Sequence, residues 1–396
     1  MEKCAGKPAL SVSKMNDQIR PRSVRLDATT HCQLKCPSCP TTSGRIAKDL
    51  GRGYLKFRDF KKLMEENSFI MHVELSNWGE LFLNPELPDV MRYSFEQGIA
   101  LTASNGVNLN AVKDKTLEGL VKYQFRHLTC SIDGASQETY VQYRRLGSFD
   151  RVIANVKKIN QLKKRYDSDF PLLTWQFVAF GHNEHEIDTA REMARELGMD
   201  FYLKLSWDPD FSPVKDKKLA RKFPNRTASE NKPRQDGGSL SLQKTHSRER
   251  GSVFPQKIQN QDSGSPYLQK MHCSQMWNIP QINWDGRVLG CCVNTWGDFG
   301  NAFDSGLMPT LNGDSFAYAR RMLRGLEEPK KEIACSTCRY YEWMRANEQW
   351  MTEGDIKAYR RLYKMPYEFG RIGIRLANRF PGLARMYLRL LGLKRS

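Results

Sequence analysis

The sequence predicts an α/β fold: a partial (β/α)6, TIM-like barrel followed by a small cysteine-rich domain with a β-hairpin. From residue 23 to residue 207, short apolar runs alternate with amphipathic stretches, and strands that alternate with helices favour a parallel sheet. Six such units can be counted, which favours an open or partial barrel over a full eight-unit barrel. The second domain is predicted because five cysteines lie in a compact region after residue 265.

The spacing of apolar residues distinguishes the predicted strands from the predicted helices. Runs rich in apolar and β-branched residues predict the strands Ser23–Ala28, Met71–Asn77, Ile99–Ser104, His127–Ile132, Leu172–Phe180 and Phe201–Ser206. Apolar residues three and four positions apart predict the helices Phe57–Glu66, Ala111–Val121, Phe149–Arg165 and His185–Leu197. In the second domain, Gln281–Cys291 is predicted to form the hairpin, with Asp285-Gly286 as its turn.

Composition and charge divide the 396 residues into five regions: a tail 1–21, the barrel 22–208, an insert 209–264, the cysteine-rich domain 265–345 and a C-terminal region 346–396. The insert is polar and aperiodic, so we expect it to be disordered. Residues 209–262 contain 12 Lys and Arg against 6 Asp and Glu, and residues 356–396 contain 11 against 1. Most of the net charge of +18 therefore belongs to these two appendages and not to the barrel.

The basic C-terminal region has the pattern of two short amphipathic helices broken at Pro381. Arg371, Arg375 and Arg379 repeat every four residues, with apolar residues between them, and residues four apart share a helix face. One interpretation is a helix packed on the barrel with a solvated basic side. The other is docking to an anionic membrane surface. Nucleic acid is not an expected partner, because no aromatic stacking pattern accompanies the charges.

Two further features predict the compartment. No run of 18 or more apolar residues occurs, and Met1–Lys14 lacks the apolar segment of a signal peptide. We therefore expect a cytoplasmic protein, with peripheral contact to the inner face of the membrane as the further possibility. Ten cysteines are many for such a chain, and in a reducing compartment clustered cysteines more often bind metal or do redox chemistry than form disulfides.

The first cysteine cluster is Cys32, Cys36 and Cys39, a C-x3-C-x2-C run just after the first predicted strand. Three thiolates from one loop can hold three irons of a cubane, and the fourth iron then has an open coordination position. Ordinary electron-transfer clusters usually take four cysteines. The alternative is a zinc site completed by His31 or by a distant residue.

This run resembles the signature of the radical S-adenosylmethionine superfamily, whose members have a partial (β/α)6 barrel. Asn77-Trp78-Gly79-Glu80 resembles its Gly-Gly-Glu motif, with Trp78 in place of the first glycine, and Ser104-Asn105-Gly106 is similar to its Thr-Asn-Gly element. The resemblance implies that the open iron binds the methionine end of S-adenosylmethionine. It further implies a set of cofactor-binding residues: Ser38, Gly79, Glu80, Asn105, Ser131, Asp133 and Arg144.

The second cysteine cluster contains Cys273, Cys291, Cys292 and the C-x2-C pair Cys335 and Cys338. By spacing alone a zinc ribbon and an iron–sulfur cluster are both open. The region resembles the auxiliary-cluster domain called SPASM in its seven-cysteine form and twitch in its short form, and is similar to the one-cluster 2-deoxy-scyllo-inosamine dehydrogenases. The resemblance implies a second [4Fe–4S] cluster on Cys273, Cys291, Cys335 and Cys338, with Cys292 spare.

These resemblances imply an enzyme that reductively cleaves S-adenosylmethionine and oxidises or epimerises a sugar, cyclitol or other small polar molecule. The first alternative is a peptide- or protein-modifying maturase, and the second is a non-catalytic, zinc-stabilised basic binding protein. Cys130 and Cys292 are the candidate hydrogen-atom donors of an epimerase. A flavodoxin or ferredoxin is the expected reductant.

Overall fold

The computed structural model describes residues 18–208, 210–217, 219, 266–362, 370–380 and 382. The strands are β1 (Ser23–Leu26), β2 (His72–Glu74), β3 (Ala100–Val107), β4 (His127–Ser131), β5 (Leu172–Ala179), β6 (Asp200–Leu205), β7 (Gln281–Ile282) and β8 (Val288–Gly290). The helices are α1 (Arg45–Leu50), α2 (Phe57–Glu66), α3 (Leu87–Gln97), α4 (Asp114–Lys122), α5 (Gln137–Tyr143), α6 (Phe149–Arg165), α7 (Ile187–Glu196), α8 (Pro266–Asn278), α9 (Leu307–Asn312), α10 (Asp314–Leu323), α11 (Arg339–Ala346), α12 (Glu353–Leu362) and α13 (Gly370–Arg379).

The strands form one sheet in the order β6-β5-β4-β3-β2-β1-β7-β8. Neighbouring strands from β6 through β1 to β7 are parallel, and only the β7–β8 pair is antiparallel. A helix connects each strand of β1 to β6 to the next, as parallel pairing requires. The predicted α/β class and six-unit arrangement are therefore confirmed.

Strand β1 illustrates how the sheet separates an apolar layer from a polar one. Val24 and Leu26 are fully buried in the main hydrophobic core. Arg25 lies between them in sequence and donates from Nε to Gln281 Oε1 at 2.9 Å and from Nη2 to the Ser76 carbonyl at 3.0 Å. Successive side chains of a strand point to opposite faces. The barrel interior is therefore polar, while the opposite face packs in the apolar core.

The hairpin of the second domain extends the barrel sheet, which the sequence did not predict. Residue Arg25 pairs with Gln281 and Leu26 with Ile282, so β7 adds to β1 as a parallel neighbour. The turn before β8 contains Gly286 at φ +91°, where a Cβ would lie 2.3 Å from Asn301 Oδ1. Glycine is therefore required in this turn. The two domains therefore share one sheet.

The observed helices agree with the predicted ones except at the start of α4 and at other ends by a few residues. Helices α2 and α6 have the predicted bounds, whereas α4 begins at Asp114 and not at Ala111. Asn110 causes the delay, because its side chain accepts from the Ser148 N–H and donates to the Tyr140 hydroxyl, which holds the chain in a turn. Residues 1–17 of the predicted tail, most of the predicted insert and the segment from Leu383 onward lie outside the described residues. Among the described residues, no helix is long and apolar enough to cross a bilayer.

Candidate active site and metal centres

The three cysteines of the first cluster lie on the loop between β1 and α1. Cys36 is buried, and Cys32 and Cys39 are half-buried. Backbone bonds shape the loop, because the Cys39 N–H donates to the Cys36 carbonyl at 3.2 Å. The loop packs on a small apolar cluster that contains Tyr143 and Phe180. All three thiols are thus presented at the carboxyl edge of the sheet, in surroundings that exclude much of the solvent.

Arg144 connects this loop to the end of β4. Its Nε donates to Asp133 Oδ2 at 2.6 Å, and its Nη1 lies 3.8 Å from Cys36 Sγ. Asp133 is fully buried, and its Oδ1 accepts from the Val178 N–H at 2.8 Å. Burial lowers the pKa of Arg144, but Asp133 and Cys36 raise it well above its usual value. Asp133 therefore acts here as a positioning residue that turns a permanent positive charge toward the cysteine loop.

Glu80 is held by three donors at the end of β2. Its Oε2 accepts from the backbone N–H and the side-chain Nδ2 of Asn108, at 2.7 and 2.5 Å. Its Oε1 accepts from the Phe82 N–H at 3.1 Å. Burial nevertheless raises the pKa of Glu80 to about 8. Asn108 also lies 4.0 Å from Cys32 Sγ. Asn108 was not among the site residues predicted from the sequence, although it follows the Ser104-Asn105-Gly106 element by two residues.

Trp78 and Gly79 occupy the two glycine positions of the Gly-Gly-Glu motif, and only the second of them requires glycine in this structure. A Cβ on Gly79 would lie 2.0 Å from the Thr29 carbonyl oxygen, which no side chain can tolerate. Trp78 packs instead against a separate apolar cluster of Ile46, Leu50 and Leu289. A tryptophan can therefore replace the first glycine, because its indole packs against α1 and β8. The glycine that approaches the Thr29 carbonyl is retained as Gly79.

The remaining predicted cofactor residues surround the same edge of the sheet. Asn105 donates from Nδ2 to the backbone and side-chain oxygens of Asn77, both at 3.1 Å. Ser131 is buried, and its Oγ accepts from Gln176 Nε2 at 3.3 Å. Ser38 Oγ is buried and has no hydrogen-bond partner among the described residues. The structure thus brings all seven predicted residues to the ends of β1–β4 and the adjoining loops, while their contacts to a cofactor stay predictions.

The four cysteines assigned to the second cluster surround one small cavity. Cys273 comes from α8, Cys291 follows β8, and Cys335 and Cys338 come from the turn before α11; all four line the cavity together with Trp296 and Tyr341. Burial raises the pKa of each of the four thiols, to about 12 for Cys291. A set of four thiols around a closed space fits a [4Fe–4S] cluster, which would occupy the space between its ligands.

A single zinc ion fits these surroundings less well. Tetrahedral zinc holds its cysteine sulfurs at about 2.3 Å, so the ligands must converge on one point. Within the parts of the chain that the structure describes, no three His, Cys, Asp or Glu side chains are grouped in that way. At the second site the four thiols line one cavity, which is the arrangement expected for the ligands of a cluster.

The two remaining described cysteines have different environments. Cys130 is fully buried in the main core, and burial raises its pKa to about 12. Cys292 is half-buried and does not line the auxiliary cavity. Its Sγ lies 3.3 Å from Gln275 Nε2 and 3.6 Å from His272 Nδ1. Its carbonyl accepts from Asn77 Nδ2 at 3.2 Å. Cys292 thus contacts the barrel at Asn77 and helix α8 at His272 and Gln275, whereas Cys130 is a packing residue.

Comparisons with known proteins agree with this description. Residues 273–339 match the SPASM family, described as an iron–sulfur cluster-binding domain. No curated protein sequence matches the chain. The fold is similar to that of Streptococcus suis SuiB bound to S-adenosylmethionine, with a TM-score of 0.52, 17% identity, and coverage of 81% of this chain and 71% of SuiB.

Two other structures are similar. SuiB bound to the precursor peptide SuiA aligns with a TM-score of 0.51 and 15% identity, over 81% of this chain and 70% of SuiB. BtrN in complex with AdoMet and 2-DOIA aligns with a TM-score of 0.41 and 14% identity, over 81% of this chain and 94% of BtrN. The chain therefore shares the fold of SuiB, and residues 273–339 match the SPASM iron–sulfur cluster-binding domain that the sequence resemblance predicts.

Proposed function

We propose that the protein is a radical S-adenosylmethionine enzyme with two [4Fe–4S] clusters. The observation that carries the proposal is the placement of Arg144, whose guanidinium lies beside the thiol of Cys36 and is fixed by Asp133. A planar guanidinium suits a carboxylate, because it can donate to both oxygens. When bound, the first cluster would supply the electron that splits S-adenosylmethionine into methionine and a 5′-deoxyadenosyl radical, and this radical would remove a hydrogen atom from the substrate.

The protein's own residues hold and orient the reactants. Cys32, Cys36 and Cys39 would ligate three irons and leave the fourth for the methionine end of the cofactor. Arg144 would pair with the cofactor carboxylate, and Glu80 lies on the same edge of the sheet as a partner for the amino group. Cys273, Cys291, Cys335 and Cys338 would hold the auxiliary cluster. With all four ligand positions filled by protein, that cluster suits electron transfer more than substrate ligation.

The barrel interior supports a small polar substrate, such as a sugar or cyclitol. Asp27 is fully buried at the end of β1, and its Oδ2 has no hydrogen-bond partner among the described residues. Ser104 Oγ is likewise buried without a partner in the described structure. Buried polar atoms without a protein partner are rare unless a ligand or a water molecule forms a hydrogen bond with them. Hydroxyl or amino groups of a polar substrate would satisfy both.

A second candidate is a peptide-modifying enzyme, favoured by the likeness to SuiB bound to its precursor peptide. Whether the net reaction is an oxidation or an epimerisation depends on the fate of the substrate radical. For epimerisation, Cys292 is the better of the two candidate donors, because it is only half-buried and contacts the barrel at Asn77, while Cys130 is enclosed in the core. The expected partner is a flavodoxin- or ferredoxin-type reductant, and the expected compartment is the cytoplasm.

The proposal is tested by anaerobic reconstitution with iron and sulfide, followed by reduction in the presence of S-adenosylmethionine. We expect about eight irons per chain and formation of methionine and 5′-deoxyadenosine. Simultaneous replacement of Cys32, Cys36 and Cys39 by Ala should halve the iron and abolish 5′-deoxyadenosine. Zinc without sulfide would support the non-catalytic alternative and overturn the proposal, as would full iron in the triple variant.

A further inference from the structure

Helix α13 is fixed to the edge of the barrel at which the strands begin. Arg371 donates from Nε to the Ile70 carbonyl at 2.7 Å and from Nη2 to the Met64 and Asn67 carbonyls at 3.0 and 3.2 Å. These carbonyls belong to the end of α2 and the loop before β2. One arginine thus caps the C-terminus of α2, where partial negative charge accumulates.

A second contact, two turns further along α13, fixes the same face. Asn378 donates from Nδ2 to the Phe95 carbonyl at 2.8 Å, and its Oδ1 accepts from Arg126 Nη2. Arg126 directly precedes β4, and Phe95 is near the end of α3, which precedes β3. Ile374 lies between the two contacts and is buried. The helix therefore spans three consecutive helix-to-strand loops, on the face of the barrel opposite the first cysteine loop, which follows β1.

The outward side of α13 carries an exposed apolar stripe. Ile372, Leu376 and Phe380 are 68%, 47% and 55% exposed and stand four residues apart, so they lie on one side of the helix. Arg375 and Arg379 are exposed beside them, and neither forms an ion pair with a described residue. A stripe of exposed apolar residues flanked by basic ones is typical of a helix that lies in the interface of a membrane.

We propose that α13 docks the strand-start face of the barrel onto an anionic lipid bilayer. The apolar stripe would enter the headgroup region, and Arg375 and Arg379 would contact lipid phosphates. Charge favours this occupant over the others. Residues 383–396 contain four Lys and Arg and no acidic residue, so they would be repelled by these arginines if they covered the stripe. A second copy of the chain would also place like charges together, and three side chains fall far short of the roughly 800 Å² per partner of a stable interface.

This docking has a consequence for access to the active site. Because α13 lies opposite the first cysteine loop, the carboxyl edge of the barrel would face away from the bilayer and open to the aqueous phase. The inference is independent of the proposed chemistry, since membrane binding can be measured on the full chain without any turnover.

The test is co-sedimentation of the full-length protein with vesicles of phosphatidylcholine, with or without phosphatidylglycerol. We expect binding that requires phosphatidylglycerol and falls as salt is added. Arg375→Ala and Arg379→Ala should each lower the partition coefficient about fivefold. Joint replacement of Ile372, Leu376 and Phe380 by Ser should abolish binding. These side chains are exposed, so circular dichroism of that variant should match the wild type. Matched controls are Arg191→Ala and Leu326→Ser, which remove an exposed charge and an exposed apolar side chain elsewhere and should leave binding unchanged.

Several outcomes would overturn the inference. Wild-type protein that stays in the supernatant at low salt would do so, as would equal binding by the Ser variant. Binding only after deletion of residues 383–396 would show that this segment covers the stripe. A wild-type dimer that becomes a monomer in the Ser variant, with no vesicle binding, would assign the stripe to a second copy. Binding to single-stranded RNA in place of vesicles would assign the arginines to nucleic acid.

Discussion

Asp133 and Arg144 form an ion pair of 2.6 Å that links the end of β4 to the first cysteine loop. The carboxylate is fully buried, and its second oxygen accepts from the Val178 N–H, so its position is fixed from two sides. The guanidinium can therefore adopt few orientations, and the one observed brings Nη1 to 3.8 Å from Cys36 Sγ. This geometry supplies a fixed positive charge beside the cysteine loop, where we propose that it pairs with the carboxylate of the cofactor.

The first prediction concerns this charge. Arg144→Ala should weaken S-adenosylmethionine binding by about 1.5–3 kcal/mol, because it removes a hydrogen bond between charged groups. Isothermal titration of reconstituted protein measures the change. Arg145→Ala is the matched control, since Arg145 is exposed and adjacent in sequence. Both variants should keep the wild-type iron content. Equal affinities for the two variants would remove Arg144 from the cofactor site.

The second prediction separates two neighbouring cysteines. Cys291 lines the auxiliary cavity and Cys292 does not. Cys291→Ala should therefore lose the auxiliary cluster, about four irons per chain, while Cys292→Ala should keep it. Iron and sulfide analysis with electron paramagnetic resonance of the reduced proteins distinguishes the results. The reverse pattern would transfer the ligand role to Cys292 and contradict the cavity geometry.

The third prediction tests the close approach at Gly79. Gly79→Ala would place a Cβ 2.0 Å from the Thr29 carbonyl, so either the cysteine loop or Glu80 must move. We expect a loss of several kcal/mol in the free energy of unfolding, as for other substitutions that force overpacking, or loss of the first cluster. Gly354→Ala is the control, because its nearest contact would be an ordinary 3.5 Å. Wild-type stability and iron content in Gly79→Ala would show that the loop relaxes freely.

The fourth prediction concerns the pH dependence of stability. Burial, opposed by Arg25 and reinforced by Cys292, Asp285 and Glu74, raises the pKa of Asp27 from 3.8 to about 8. The folded protein therefore retains a proton that the unfolded chain releases above about pH 4. This carboxyl makes the free energy of unfolding fall as pH rises from about 4 to about 8.

Asp27→Asn, which cannot ionise, should remove that contribution. The variant should gain stability relative to the wild type as pH rises from 5 toward 8, by up to about 1.4 kcal/mol per pH unit. Anaerobic denaturant titrations of reconstituted protein at several pH values measure the difference. If the free energies of unfolding of the wild type and the variant differ by the same amount at every pH from 5 to 8, Asp27 does not retain its proton in the folded state.

Local features of the molecule were predictable from the sequence. Apolar spacing depends on residues within a few turns of one another, so the bounds of α2 and α6 and the order of strands and helices followed from it. The same holds for the cysteine spacings, because a C-x3-C-x2-C loop must bring its thiols together whatever surrounds it. The SPASM match over residues 273–339 agrees with the domain placed there from the cysteines.

Only the tertiary structure decided the contacts between residues that are distant in sequence. Nothing in the sequence of Gln281–Ile282 indicates that it pairs with β1, 256 residues earlier at Arg25. The support of Glu80 by Asn108 likewise depends on how separate segments pack. Sequence periodicity showed α13 to be amphipathic, but only its docking through Arg371 and Asn378 decided which side remains exposed. The reason is physical: local pattern sets which residues share a face, whereas packing of the whole chain sets what each face meets.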